Sequence, residues 1–161
     1  LAPESSAPSR AVLLPITDNR EEEKKMAENN KKKKKILIVE DDPDFVAPIK
    51  LVLESENYRV DVASDGVQAL EKVKVEKPNL IILDIVMDKK DGFQVCSELK
   101  GNREYSDIPV IVVTAISQQW SSTNLSREMG LNLEAEDFLQ KPVDPVKLLQ
   151  LVKKYLGKRK K

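Results

Sequence analysis

From residue 35 onward, three runs of four uninterrupted apolar residues stand out, at positions 36–39, 80–83 and 110–113. Continuous apolarity over so few residues suits strands buried on both faces, as in a parallel sheet covered by helices. Residues 58–62 instead alternate apolar with polar, as a strand nearer a sheet edge does. Residues 137–141 read as a short fifth strand. Between these runs the apolar positions recur at helical spacing. Phe45, Ile49, Val52 and Leu53 form one such set, Val67, Leu70 and Val73 a second, and Pro145, Leu149, Val152 and Leu156 the last. Residues 92–99 predict a helix opened by Asp91 and closed by Gly101 and Asn102. Residues 117–129 are polar and weakly periodic, and the alternation of elements predicts a helix there as well. Asp42 before Pro43, and Asp65 before Gly66, are N-cap signals; Gly157 is a stop. Pro48 falls inside the first helix and should kink it or remove one hydrogen bond.

Strand and helix therefore alternate through five units. That alternation predicts an α/β fold: a doubly wound, five-stranded parallel sheet with helices on both faces. Right-handed crossovers leave few topologies, and a flavodoxin-like strand order, 2-1-3-4-5, is the expectation. Residues 1–34, rich in Ser, Asn, Glu and Lys, read as a disordered tail. Within it Met26 is a candidate natural start, which would make residues 1–25 an upstream or vector-derived segment. Residues 35–157 form the domain, and 158–161 a basic tail.

Charge refines this division. Residues 36–152 hold 12 Lys/Arg against 21 Asp/Glu, while both ends are basic. An acidic body argues against direct nucleic-acid binding by the domain. The basic run 31–35 reads first as a solvated flank of the first strand. With no histidine, the chain has neither a Ser-His nor a Cys-His nucleophile pair, and no His-ligated zinc. Its single cysteine, Cys96, excludes an internal disulfide and reads as a small core residue. No stretch is long enough to span a membrane, and no segment has the layout of a signal peptide, so a cytoplasmic location is expected. The single tryptophan, Trp120, reads either as core or as an exposed anchor for a partner.

The chemistry gathers where the strands end. The first predicted strand runs into Glu40, Asp41 and Asp42, the third into Asp84, the fourth into Thr114 and the fifth into Lys141. In a parallel sheet these ends share one edge, which is where open α/β sheets place their sites. Several carboxylates there repel one another unless a cation sits among them. All-oxygen ligands favour a hard divalent ion, magnesium first. A carboxylate nucleophile, a metal, a lysine and a hydroxyl are together the parts of phosphoryl transfer onto an aspartate.

In these motifs the sequence resembles the response-regulator receiver domain of two-component signalling. The resemblance rests on Val39-Glu40-Asp41-Asp42, Leu83-Asp84, Met87 with Gly92 beyond it, Val113-Thr114-Ala115, and Phe138 three residues before Lys141-Pro142. It implies that Asp84 accepts a phosphoryl group from a phosphohistidine on a sensor histidine kinase or phosphotransfer protein. It implies Mg2+ held by Asp41, Asp42, Asp84 and the Val86 carbonyl. Thr114 and Lys141 would contact the phosphoryl oxygens, small Ala115 would leave room for the group, and Thr114 with Phe138 would act as the switch. The output would be a change of protein partner, by a monomer or weak dimer. Val86 and Ile116, two residues past Asp84 and Thr114, are apolar where family members help place the attacking water, which implies slow self-dephosphorylation. Asp88 replaces the usual proline after Met87, and residues 130–137 are longer than the usual turn.

Three other readings compete. An aspartate-nucleophile phosphatase needs a second Asp two residues after the first, where Val86 stands. A flavin-phosphate binder needs a Ser/Thr/Gly-rich loop after the first strand, where three acids stand. A receiver fold acting as an interaction module without phosphorylation is the remaining alternative.

Overall fold

A computed structural model of the chain describes residues 19–85, 92–115 and 134–157. The chain divides into two compact units, Leu1–Lys32 and Lys33–Lys161. In the first, Asn19–Lys32 forms helix α1. Over 19–32 this departs from the expectation of a disordered tail spanning 1–34; residues 1–18 lie outside the described residues. The stretch has neither Gly nor Pro, and apart from its three Asn residues it consists of good helix formers. Glu21 and Glu22 stand in its first turn and Lys31 and Lys32 in its last, matching the helix dipole. It buries no residue, so this complement of charge is its support.

The second unit holds strands β1 (Lys35–Val39), β2 (Arg59–Ala63), β3 (Leu80–Asp84), β4 (Val110–Thr114) and β5 (Asp137–Gln140). Its described helices are α2 (Pro43–Ser55), α3 (Gly66–Val75), α4 (Gly92–Gly101) and α5 (Pro145–Leu156). All strand pairs are parallel and the order is β2-β1-β3-β4-β5, as the alternation predicts. The expected helix over 117–129, with Trp120, lies outside the described residues. So do Val86, Met87, Asp88, Asp91, Ile116 and the tail 158–161.

The unbroken apolar runs explain why the sheet is central. Leu37, Val39, Ile81, Leu83, Val110 and Val112 pack on one face against Ala69 and Val73 of α3 and Val95, Cys96 and Leu99 of α4. Their neighbours Ile36, Ile38, Leu80, Ile82, Ile111 and Val113 pack on the other against Val46, Ile49 and Leu53 of α2 and Leu148, Val152 and Leu156 of α5. One strand thus feeds two cores by alternation alone. Cys96 lies in the first of them, and burial pushes its thiol up to about 11. Two expected caps form, Asp42 accepting from the Asp44 N–H at 2.9 Å and Asp65 from Gln68 at 2.8 Å, and Asp144, which accepts from Val146 at 3.0 Å, is a further cap that was not predicted. Helix α2 runs on through Pro48 to Ser55.

Both edges of the sheet are pinned by charge. Asp61 of β2 pairs with Lys72 at 2.8 Å, and buried Lys35 reaches Glu76 at 3.3 Å. At the entry to β5, Glu136 pairs with Lys100 at 2.7 Å and accepts from the Val110 N–H at 2.5 Å. Tyr155 of α5 donates to the Glu136 carbonyl at 2.8 Å. These contacts fix β5 beside β4, and so fix where Lys141 leaves the sheet. Among the described residues no helix is long and apolar enough to cross a membrane.

Candidate functional site

The strand ends converge at the carboxyl edge of the sheet. Glu40 follows β1 directly, and its N–H donates to the Ala63 carbonyl at 2.9 Å, which extends the β1–β2 pairing by one residue. Asp84 is the last residue of β3, in register with Val113 of β4. Thr114 ends β4 opposite Gln140, and the Lys141 N–H donates to the Thr114 carbonyl at 2.9 Å. Four groups that are far apart in sequence are therefore placed by backbone pairing alone.

Three of them are buried: Glu40 is 3% exposed, Asp84 5% and Thr114 2%. Asp41 is exposed. Carboxylate oxygens of Glu40, Asp41 and Asp84 all lie within 4.8 Å of one another. The Lys141 ammonium donates to Glu40 Oε2 at 2.7 Å and to Asp84 Oδ2 at 3.5 Å. It also lies 4.5 Å from the centroid of the Phe45 ring. The Thr114 hydroxyl is buried and has no hydrogen-bond partner among the described residues.

The electrostatics follow from this crowding. Burial pushes the Glu40 carboxyl up to about 7; the Lys141 hydrogen bond works against that rise, and the Asp84 charge adds to it. Burial alone would lower the Lys141 amine. Its bond to Glu40 and the charge of Asp84 outweigh burial and leave it above its usual range. Concentrated negative charge beside a buried hydroxyl suits a small divalent cation and a phosphoryl group better than any neutral ligand.

The sequence paired Asp41 with Asp42, but the group that assembles is Glu40, Asp41 and Asp84. Asp42 stands outside it because its carboxylate caps α2, while its own N–H donates to Glu40 Oε1 at 3.1 Å. The signal was present: an Asp directly before a helix-opening proline is committed to the cap. Val86, the expected carbonyl donor, lies outside the described residues. Phe138 sits on β5 opposite Val112 and is 39% exposed, while Leu139 beside it is buried. The sequence marks Phe45 only as part of a helical apolar face; nothing in its spacing makes it a neighbour of Lys141.

A doubly wound parallel α/β sheet with an acidic rim, a lysine and a threonine at its strand ends places the chain in the flavodoxin-like class of folds. Residues 36–153 match the family described as the response regulator receiver domain, and the chain belongs to that family. It is thus a receiver domain of two-component signalling. It is 37% identical over 117 residues to the alkaline phosphatase synthesis transcriptional regulatory protein PhoP of Bacillus subtilis (strain 168), a match covering 73% of this chain and 46% of PhoP. Identity to the response regulator PleD of Caulobacter vibrioides is 37% over 113 residues, covering 68% of this chain and 24% of PleD. The chain thus spans less than half the length of these relatives. Among solved structures, the signal receiver domain of a signal transduction histidine kinase from Syntrophus aciditrophicus matches with a TM-score of 0.71 and 34% identity, covering 80% of this chain and 95% of that one. The receiver domain of sensor histidine kinase PA1611 from Pseudomonas aeruginosa PAO1, which has a magnesium ion coordinated in its active site cleft, matches with a TM-score of 0.68 and 27% identity. It covers 78% of this chain and 99% of that one.

Proposed function

We propose that Asp84 accepts a phosphoryl group from the phosphohistidine of a sensor kinase or phosphotransfer protein. An Asp84 carboxylate oxygen attacks phosphorus, the phosphorus–nitrogen bond breaks, and the imidazole leaves with the electron pair. The supporting observation is the buried hydroxyl of Thr114, without a partner among the described residues, on the same rim as the Asp84–Lys141 pair. An orphaned buried hydroxyl is costly unless it has work in another state. Here it is one strand from Asp84 and can donate to a phosphoryl oxygen. Lys141, already 3.5 Å from Asp84, can neutralise a second oxygen.

The donor set fits Mg2+, with Glu40, Asp41 and Asp84 as ligands and the Val86 carbonyl as the further donor that the family implies. When bound, the ion would offset charge on the carboxylates and on the incoming group. Magnesium should therefore stabilise the fold. At ten times its dissociation constant the gain is about 1.4 kcal/mol, a rise of roughly 4 °C in Tm. The rise should vanish in Asp41→Ala. pH sets a second expectation. Between the ordinary Glu pKa of 4.5 and about 7, the folded protein keeps a proton on Glu40 that the unfolded chain has lost. That contribution to stability is fully present below 4.5 and is lost as pH rises through 7. Magnesium competes with this proton, so its apparent affinity should weaken as pH falls below 7. A thermal shift that is the same at pH 5.5 and pH 8 would remove Glu40 from the ligand set.

The new dianion would draw Thr114 and Lys141 toward it and bias a two-state equilibrium, with Phe138 as the aromatic that changes place. The consequence would be altered protein contacts, in the cytoplasm, with no turnover of an external substrate. Self-dephosphorylation should be slow, because Val86 and Ile116 offer no polar group to a water. Loss of the phosphoryl label within seconds would contradict this. The direct test is intact-protein mass spectrometry after incubation with acetyl phosphate and Mg2+. A gain of one phosphoryl group is expected. No gain, with no change on adding beryllofluoride, would favour a module that acts without phosphorylation.

A further inference from the structure

Among the described residues the Lys141 ammonium has two acids and one aromatic ring as neighbours. Glu40 Oε2 lies at 2.7 Å and Asp84 Oδ2 at 3.5 Å; the third is the face of Phe45, its centroid 4.5 Å from Nζ. Phe45 stands in the first turn of α2, where its N–H donates to the Asp42 carbonyl at 3.2 Å. The ring and one acid, Glu40, thus ride on one short stretch, residues 40–45, while Asp84 ends the central strand β3 and the lysine follows β5 at the far edge of the sheet. A lysine stem is flexible, and its charge is strongly hydrated. Two carboxylates on one side do not keep it from swinging into water. An aromatic wall does, because the ring face attracts the cation and the ring body keeps solvent away.

We infer that Phe45 is a positioning residue that holds the Lys141 ammonium at the acidic rim, in the place from which it would meet a phosphoryl oxygen. Only that last clause rests on the proposed role of Asp84. Phe45 is half-buried at the margin of the α2–α5 core. A purely packing role would need apolar bulk and no π-face, and leucine would supply it.

The test uses the full chain with Phe45→Leu and Phe45→Tyr, each with Lys141 present and in a Lys141→Met background. In metal-free protein, 1H–13C spectra should show the Lys141 ε-methylene shifted upfield by the ring. Phe45→Leu should return it to the position of an exposed lysine, and Phe45→Tyr should keep it. With acetyl phosphate and Mg2+, Phe45→Leu should slow phosphoryl uptake about fivefold, with Phe45→Tyr close to native. In the Lys141→Met background, Phe45→Leu should cause no further slowing. A methylene resonance that does not move in Phe45→Leu, or equal slowing with and without Lys141, would reduce Phe45 to packing and overturn the inference. If the resonance behaves as expected but the native chain takes up no phosphoryl group, the proposed function falls and the placement of the ammonium stands.

Discussion

Asp84→Ala is expected to abolish phosphoryl uptake from acetyl phosphate and from any phosphohistidine donor, with the fold intact. Asp84 is the carboxylate at which the site's other groups meet. It ends the central strand, it lies within reach of Glu40 and Asp41, and Lys141 approaches it at 3.5 Å. Glu40 is an unsuitable substitute nucleophile, because Lys141 holds it at 2.7 Å and burial keeps its carboxyl up to about 7. Asp41 is exposed and gains nothing from the buried Thr114 hydroxyl. The loss should therefore be complete rather than graded. Asp84→Asn, which keeps the volume and removes the nucleophile, should behave in the same way. Stability should not suffer, since a crowd of buried like charges loses one member. The Glu40 carboxyl should titrate lower in either variant. Burial, the largest cause of its rise, remains, but the repulsion from Asp84 is gone. Intact-protein mass spectrometry and denaturant melts read both results. Undiminished uptake in Asp84→Asn would place the acceptor elsewhere and undo the reading of the rim.

The sequence discloses the scaffold of this site better than its wiring. Runs such as 80–83 have one reasonable interpretation, because only a strand covered on both faces buries four consecutive aliphatic side chains. Caps are equally local: Asp42, Asp65 and Asp144 each bond a backbone N–H two or three residues ahead. A parallel sheet then carries Asp84, Thr114 and Lys141 to one edge without further information. What fails to show is which neighbour of Asp41 turns toward Asp84. Glu40 and Asp42 are both acidic and adjacent, and the choice is settled by the cap that engages Asp42 and by a lysine 101 residues away that engages Glu40. Phe45 is hidden for the same reason, since its contact with Lys141 joins opposite ends of the domain. Helix α1 is hidden for a different reason. It has no apolar face, so periodicity is silent, and its signal lies in propensity and end charges.

Gly92→Ala should be strongly destabilising, at about 3 kcal/mol. Gly92 opens α4, and its N–H donates to the Ile85 carbonyl at 2.9 Å, closing the loop that follows Asp84. The helix start is pressed so close to β3 that a Cβ on residue 92 would stand 2.4 Å from the Asp84 carbonyl oxygen and 2.6 Å from the Ile85 Cα. Both atoms are backbone at the carboxyl end of the central strand, so no side chain can rotate to make room. The constraint is proximity, since no glycine among the described residues has positive φ. Relief requires either moving α4 off the sheet or displacing the peptide that carries the proposed acceptor. A loss of roughly 10 °C in Tm is expected for a domain of this size. Phosphoryl uptake should fall further than the folded fraction does, because the Asp84 carbonyl is the atom displaced. Gly101, at the other end of the same helix, provides the control. A Cβ there meets nothing within 4 Å. Gly101→Ala should leave Tm unchanged or raise it slightly, as removing glycine from a helix ordinarily does. If Gly92→Ala melts within a degree of the native chain and takes up phosphoryl groups at the native rate, the close approach of α4 to β3 is not what holds Asp84 in place.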